Sequence, residues 1–201
     1  MKTFYTFHNI YTFYKFCLLV MSLQASVYCT ASAMSEDGSD SPSSVNIALL
    51  HIAPVLGDPV ANTALVAKAM ADAKRYGADW VMTPELALTG YKFSNAMGTG
   101  WFVDGPDKYV QALQKSADEL NLVLFLSHLE KDPLSAAVYN TLFVINRDGE
   151  IVARHRKINT IPVAEAWSVQ GEQVTVAQVD GIRLGLLICA DAWPPHHTAA
   201  L

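Results

Sequence analysis

The chain is predicted to be an α/β protein built on a mixed sheet, and three observations predict it. Short apolar runs of strand length alternate with two amphipathic helical stretches as far as residue 128. Beyond that, two pairs of strand-like runs each bracket an Asp-Gly dipeptide, at Asp148-Gly149 and Asp180-Gly181. The composition, 51% hydrophobic and 16% charged over 201 residues, is that of one globular domain with a sizeable core. Alternating strands and helices imply parallel strands joined by crossovers, and Asp-Gly pairs imply antiparallel hairpins, so one sheet holding both is mixed.

The elements follow in order. Residues 1–33 carry two Lys, no Asp or Glu, and an apolar stretch from about Phe16 to Tyr28 that leads to Ala31-Ser-Ala33. That stretch is short for a membrane span, and the small-x-small ending fits a signal peptidase site, so a cleaved secretory signal and an exported protein are expected. An uncleaved membrane anchor over residues 16–28 is the alternative. Residues 34–44, small and polar with nothing to bury, are expected to be a flexible linker, and 45–201 to be the folded domain. Val45–Ile52 predicts a strand. Asp58-Pro59 supplies an N-cap and a first-turn proline for a helix whose stripe is Leu65, Val66, Ala69, Met70, Ala73 and Tyr76, with Gly77 beyond its end. Asp79–Thr83 is a second strand. Residues 88–106, rich in Gly and aromatics and without periodicity, are expected to be a binding loop. Asp107 opens a helix with the face Val110, Leu113, Ala117 and Leu120, and Leu122–His128 is a buried strand. The hairpin pairs are Tyr139–Arg147 with Glu150–Arg156, and Val174–Val179 with Ile182–Ile188.

Charge and ligand chemistry narrow the function. A formal net charge of −5, with no basic cluster beyond Arg154-His-Arg-Lys157, offers nothing to hold a phosphate backbone, so nucleic acid is not an expected partner. His196-His197 would point apart on an extended chain and no other ligand cluster stands near them, so no metal site is expected. If the leader is removed, Cys17 and Cys29 go with it and Cys189 is the single thiol of the mature chain, either reactive or safely buried.

Three residues stand where buried strands end. Glu85 follows Pro84, which restricts the backbone and aims the carboxylate, although a Glu near a helix start is also an ordinary surface residue. Lys157 ends a strand behind Arg154, His155 and Arg156, whose field would favour loss of its proton or the holding of an anion; a solvated strand end is the plainer possibility. Cys189 follows Ile182–Ile188 and enters a turn whose Asp191, Trp193 and Pro194 suit an exposed pocket wall, yet most lone cysteines simply pack. Strand ends on one sheet edge converge, and a base, a cation and a thiol meeting there are what acyl transfer from an amide requires.

The segments Pro84-Glu-Leu-Ala-Leu-Thr-Gly-Tyr91, Arg154-His-Arg-Lys-Ile-Asn159 and Gly185-Leu-Leu-Ile-Cys-Ala-Asp-Ala-Trp-Pro194 together resemble the nitrilase superfamily, the carbon-nitrogen hydrolases. Glu165, eight residues past Lys157, matches the second, structural glutamate of that family. The resemblance spans residues 45–201 and implies an αββα sandwich. Its members continue well past the nucleophile, whereas this sequence ends twelve residues after Cys189, so the C-terminal part of the sandwich is expected to be missing. Trp193 also stands where an Arg is common.

The resemblance implies a Cys189 nucleophile, Glu85 as proton carrier, Lys157 and the Ala190 N–H as oxyanion donors, and Glu165 as the residue that orients Lys157. It places Tyr91 and Trp193 at the substrate and requires no cofactor. The implied substrate is a small amide or nitrile. An N-acyltransferase of the same superfamily and a catalytically inactive binding module are the alternatives, and a homo-oligomer is expected of the complete protein.

Overall fold

A computed structural model of the chain describes residues 4–6, 29–31 and 44–201. Apart from two short strands, β1 (Phe4–Thr6) and β2 (Cys29–Ala31), the expected leader lies outside the described residues, as does the expected linker up to residue 43. No helix among the described residues is long and apolar enough to cross a membrane.

The main sheet is mixed. Strands β3 (Val45–His51), β4 (Trp80–Met82) and β5 (Val123–Lys131) run parallel, and β6 (Val138–Ile145) and β7 (Ile151–Arg156) continue it antiparallel. The order is β1-β3-β4-β5-β6-β7, with β2 also pairing on β3. Two helices make the crossovers. Helix α1 (Pro59–Arg75) starts where the Asp58 carboxylate accepts from Ala61 N at 3.0 Å, behind a first-turn proline. A short α2 (Phe93–Met97) precedes α3 (Lys108–Leu120), whose Asp107 cap accepts from Tyr109 N and Val110 N. Strands β8 (Thr175–Val179) and β9 (Ile182–Leu186) form a separate antiparallel pair. Their turn residues Asp180 and Gly181 both take positive φ, +49° and +77°, as a tight two-residue hairpin requires.

Side chains alternate across a strand, so each strand feeds two cores. Leu124, Leu126 and Phe143 pack on α1 and α3, while Phe125, Leu142 and Val144 face Ala177, Val179, Leu186 and Ile188 of the second sheet. The described domain is thus layered helix, sheet, sheet. Asp180 bolts the second sheet to the first, its carboxylate accepting from Trp80 Nε1 at 2.8 Å and from Arg147. The stretch expected as a bare loop, residues 88–106, instead carries α2 and a tilted aromatic cluster of Phe93, Trp101 and Phe102 closed by Trp167. Aromatic burial supplies the order that the glycines withhold.

One edge of the main sheet gathers the C-terminal ends of β4, β5 and β7 and the N-terminal end of β6, because Met82 is level with Phe125, Lys131 with Val138, and Thr141 with Arg156.

Candidate active site

Glu85 is aimed by its loop's stitching to β5. Thr83 N donates to Phe125 O at 3.0 Å, Ser127 N to Thr83 Oγ1 at 3.0 Å, Leu86 N to Ser127 Oγ at 3.0 Å and Ala87 N to Ser127 O at 3.0 Å. The next residue, Leu86, takes φ +51°, a left-handed conformation costly for a branched side chain and held here by its complete burial.

Lys157 continues β7, and its N–H donates to Asn140 O at 2.8 Å, which puts the Lys157 and Asn140 side chains on the face toward the second sheet. The ammonium group is wholly buried, 2.6 Å from Glu85 Oε1 and 2.8 Å from Glu165 Oε2. Burial alone would drive its proton off, but the hydrogen bonds to Glu165 and Glu85 outweigh it and raise the pKa above the ordinary lysine value. This corrects the expectation that neighbouring cations favour its deprotonation. Arg154 and Arg156 lie on the other face of β7, where Arg156 pairs with Glu130 at 2.9 Å and Asp132 at 2.7 Å. They contribute no repulsion at Lys157 comparable to the attraction of two carboxylates in contact.

Glu165 is fully enclosed and satisfied. Its Oε2 accepts from Lys157, from Ile161 N at 2.8 Å and from the Tyr91 hydroxyl at 3.2 Å. Tyr91, expected at the substrate, is therefore a partner of Glu165, and burial together with the Glu165 charge pushes its phenol up to about 12. Asn140 Nδ2 donates to Glu85 Oε1 at 2.8 Å and to Glu165 Oε1 at 2.6 Å.

Cys189 begins a four-residue 3₁₀ turn (Cys189–Ala192) just past β9, with φ +47°. That conformation is rare for a non-glycine residue, and it turns an exposed thiol out of a buried segment, Ile188 before it and Ala190 after it being buried. Lost hydration on the cavity side, the charge of Glu85 and a hydrogen bond to Glu85 push the thiol's pKa up, and Lys157 and the Ala190 N–H offset this only partly. The resting thiol is protonated at neutral pH and points its proton at a base. Glu85 and Cys189 line one cavity of about 140 Å³ whose other walls are Met82, Phe125, Leu142, Leu187 and Ile188, with Thr83 and Ser127 as its uncharged polar members. Trp193, also expected at the substrate, is 69% exposed and outside this lining.

Asp191 is no exposed pocket wall. It is fully buried, with Oδ1 accepting from Ile158 N at 3.0 Å and Asn159 N at 2.6 Å, and Oδ2 from Ile188 N at 3.0 Å and lying 2.9 Å from His155 Nε2. Burial would raise this carboxyl, yet the hydrogen bonds from His155, Asn159 and Ile188 hold it below the usual range. One carboxylate thus clamps the chain after Lys157 to the chain before Cys189. Asn159 Nδ2 adds a 2.8 Å bond to Ala190 O, the carbonyl of the peptide after the one whose N–H faces the sulfur, and so fixes the turn just past Cys189. His196 and His197 lie on a short helix, α4 (Pro195–Ala199), not on extended chain, and His197 Nδ1 donates to Asp191 O at 2.8 Å.

The three groups do not share one sheet edge as expected: the thiol comes from the end of β9 in the second sheet and meets, between the layers, an ammonium group and two carboxylates at the edge of the first, in a layered α/β fold of the nitrilase type. Residues 46–201 match the family profile described as Carbon-nitrogen hydrolase, and the chain belongs to that family. It is 29% identical over 162 residues to an aliphatic nitrilase of Rhodococcus rhodochrous, covering 71% of this chain and 43% of that protein. It is 28% identical over 160 residues to a glutamine-dependent NAD(+) synthetase of Thermotoga maritima, covering 78% of this chain and 27% of that one. Among solved structures, an amidase of Nesterenkonia sp. AN1 superposes with TM-score 0.66 at 28% identity, over 77% of this chain and 59% of the other. That structure, of a mutant, shows covalent addition of the acetamide moiety of fluoroacetamide at the active site cysteine. The chain spans less than half the length of these two curated relatives.

Sequence reasoning did not assign Asn140, and it gave Asp191 to a pocket wall and His155 to the basic field at Lys157 rather than to the buried pair they form. A signal existed for two of them: a lone Asn in an apolar strand next to the active edge, and a His whose strand parity separates it from its arginine neighbours.

Proposed function

We propose that the protein is a cysteine-dependent hydrolase of non-peptide carbon-nitrogen bonds, converting a small amide to its acid and ammonia or an amine. The observation that carries this is the enclosed Lys157 held between Glu85 and Glu165, with Glu85 shared between that cluster and the Cys189 cavity. The amidase relative, whose active site cysteine is the alkylated residue in its solved structure, supports the same reading.

In the proposed mechanism Glu85 takes the thiol proton as the sulfur attacks the carbonyl carbon, which is needed because the resting thiol is un-ionised. The negative charge that develops on the carbonyl oxygen is met by the Ala190 N–H and by Lys157, whose third ammonium hydrogen is not used by the two carboxylates. Protonated Glu85 then gives its proton to the leaving nitrogen as the carbon-nitrogen bond breaks. Water adds to the thioester with Glu85 taking its proton, the acid leaves, and the sulfur is reprotonated. Among the described residues Glu85 is the only charged one in the cavity lining, which supports a small, uncharged acyl group. Ammonia release from aliphatic amides of two to four carbons tests this: release that disappears in Cys189→Ala supports it, and release unaffected by that change refutes it.

We also read residues 1–33 as an export signal. Cleavage after Ala33 would remove β1 and β2 and free the outer edge of β3. The mass of the mature protein from a secreting host tests this, since retention of Met1 contradicts it.

A further inference from the structure

Asn140 is buried without any exposure at the head of β6, level with Lys157. Its single amide nitrogen reaches both carboxylates that flank the lysine, at 2.8 Å and 2.6 Å. The two bonds use both of its N–H hydrogens. Its Oδ1 is buried with no hydrogen-bond partner among the described residues. Leaving that oxygen unpaired costs free energy, but the reversed amide would press an oxygen against two carboxylate oxygens and forfeit two charge-assisted bonds. The carboxylates therefore decide which way the amide points.

The consequence reaches Glu85. Both Lys157 and Asn140 bond to the same oxygen, Oε1, so the carboxylate is pinned by one oxygen and Oε2 is left for the thiol. We propose that Asn140 is a positioning residue: its NH₂ group locks the Glu85 and Glu165 carboxylates on either side of Lys157 and so directs the free oxygen of Glu85 to Cys189. The residue must donate twice and carry no charge. An aspartate of the same shape would place a third carboxylate against two others, and leucine would supply no donor. Glutamine is a methylene too long for a site with no exposure. The inference rests on Glu85 and Cys189 acting as the proposed function assigns them.

The test is the pH dependence of iodoacetamide labelling, read by mass on the peptide containing Cys189 in the native 201-residue chain, beside thermal melting. Asn140→Asp adds negative charge within contact of Glu85 and removes a donor from it, so the labelling midpoint moves up by about one pH unit. Asn140→Ser, which donates to only one carboxylate, moves it up by less and serves if the Asp variant does not fold. A residue that merely fills space would change melting and leave the midpoint in place. An unshifted midpoint in a folded variant overturns the positioning role. Failure of wild-type Cys189 to label at any pH below the unfolding transition instead overturns the hydrolase proposal on which it rests.

Discussion

Four consecutive residues, Arg154 to Lys157, serve two regions with opposite designs. On the helix face of β7, Arg154 and Arg156, both partly open to water, meet the buried Glu130 and the half-buried Asp132, and Arg156 also stacks 4.0 Å over the Tyr139 ring. On the other face, His155 and Lys157 are fully buried, each against carboxylates that are themselves enclosed or nearly so. Rim pairs are screened by water and worth little singly, whereas a buried ion held by hydrogen bonds is costly to disturb from either side. The same run of charge therefore supplies ordinary surface order on one side and the enclosed cluster with Glu85, Glu165 and Asp191 on the other, and strand alternation alone makes the difference.

The contrast is broken most severely at the site itself. Cys189→Ala should abolish amide hydrolysis. Cys189→Ser should be nearly as inactive, because the hydroxyl is a far weaker acid than a thiol and Glu85 cannot compensate. Glu85→Gln should lower kcat by about 10² to 10⁴, the usual range for a lost general base. Lys157→Ala should lower kcat by roughly 10² or more through the lost oxyanion donor. It should also cost about 3–5 kcal/mol in denaturant titration, since two enclosed carboxylates would lose their cation.

Asp191→Ala should follow at about 3–5 kcal/mol of stability, because three backbone N–H groups and the His155 ring nitrogen lose a buried acceptor at once. Its pH dependence has a definite sign. The Asp191 carboxyl is held below its ordinary range, so the stability it supplies is present above about pH 4 and is lost as pH falls through the lowered value. Acid melts should show wild type losing stability there and Asp191→Asn losing less. Smallest is Arg156→Ala, expected to cost about 1–2 kcal/mol and to leave kcat intact, because the buried Glu130 keeps Arg154 at 3.5 Å and the Thr141 hydroxyl at 3.1 Å. An Arg156→Ala loss as large as that of Lys157→Ala would erase the distinction between the faces.

The sheet, both crossover helices and both hairpins were legible because their apolar periods, caps and Asp-Gly turns are local signals. Glu85, Lys157 and Cys189 were legible as strand ends. Lys157's charge state was misjudged because its three basic neighbours were summed as one field, although period-two alternation separates 154 and 156 from 155 and 157. Asn140 escaped notice because its role exists only in the register of β6 on β7, which no single segment encodes. Asp191 read as pocket wall because three of its four donors come from residues 155–159, far along the chain. The aromatic loop hid Tyr91's attachment to Glu165 for the same reason.

The central claim is that Cys189 forms a thioester within reach of Glu85 and Lys157. Incubating the wild-type protein with an aliphatic amide, quenching in acid and weighing the peptide that contains Cys189 tests it directly. The account predicts a mass gain equal to the acyl group on that peptide, increased in amount when hydroxylamine and excess water-competing nucleophiles are left out, and absent in Cys189→Ala. Hydrolysis proceeding with no adduct at Cys189, or an adduct on another residue, would contradict it.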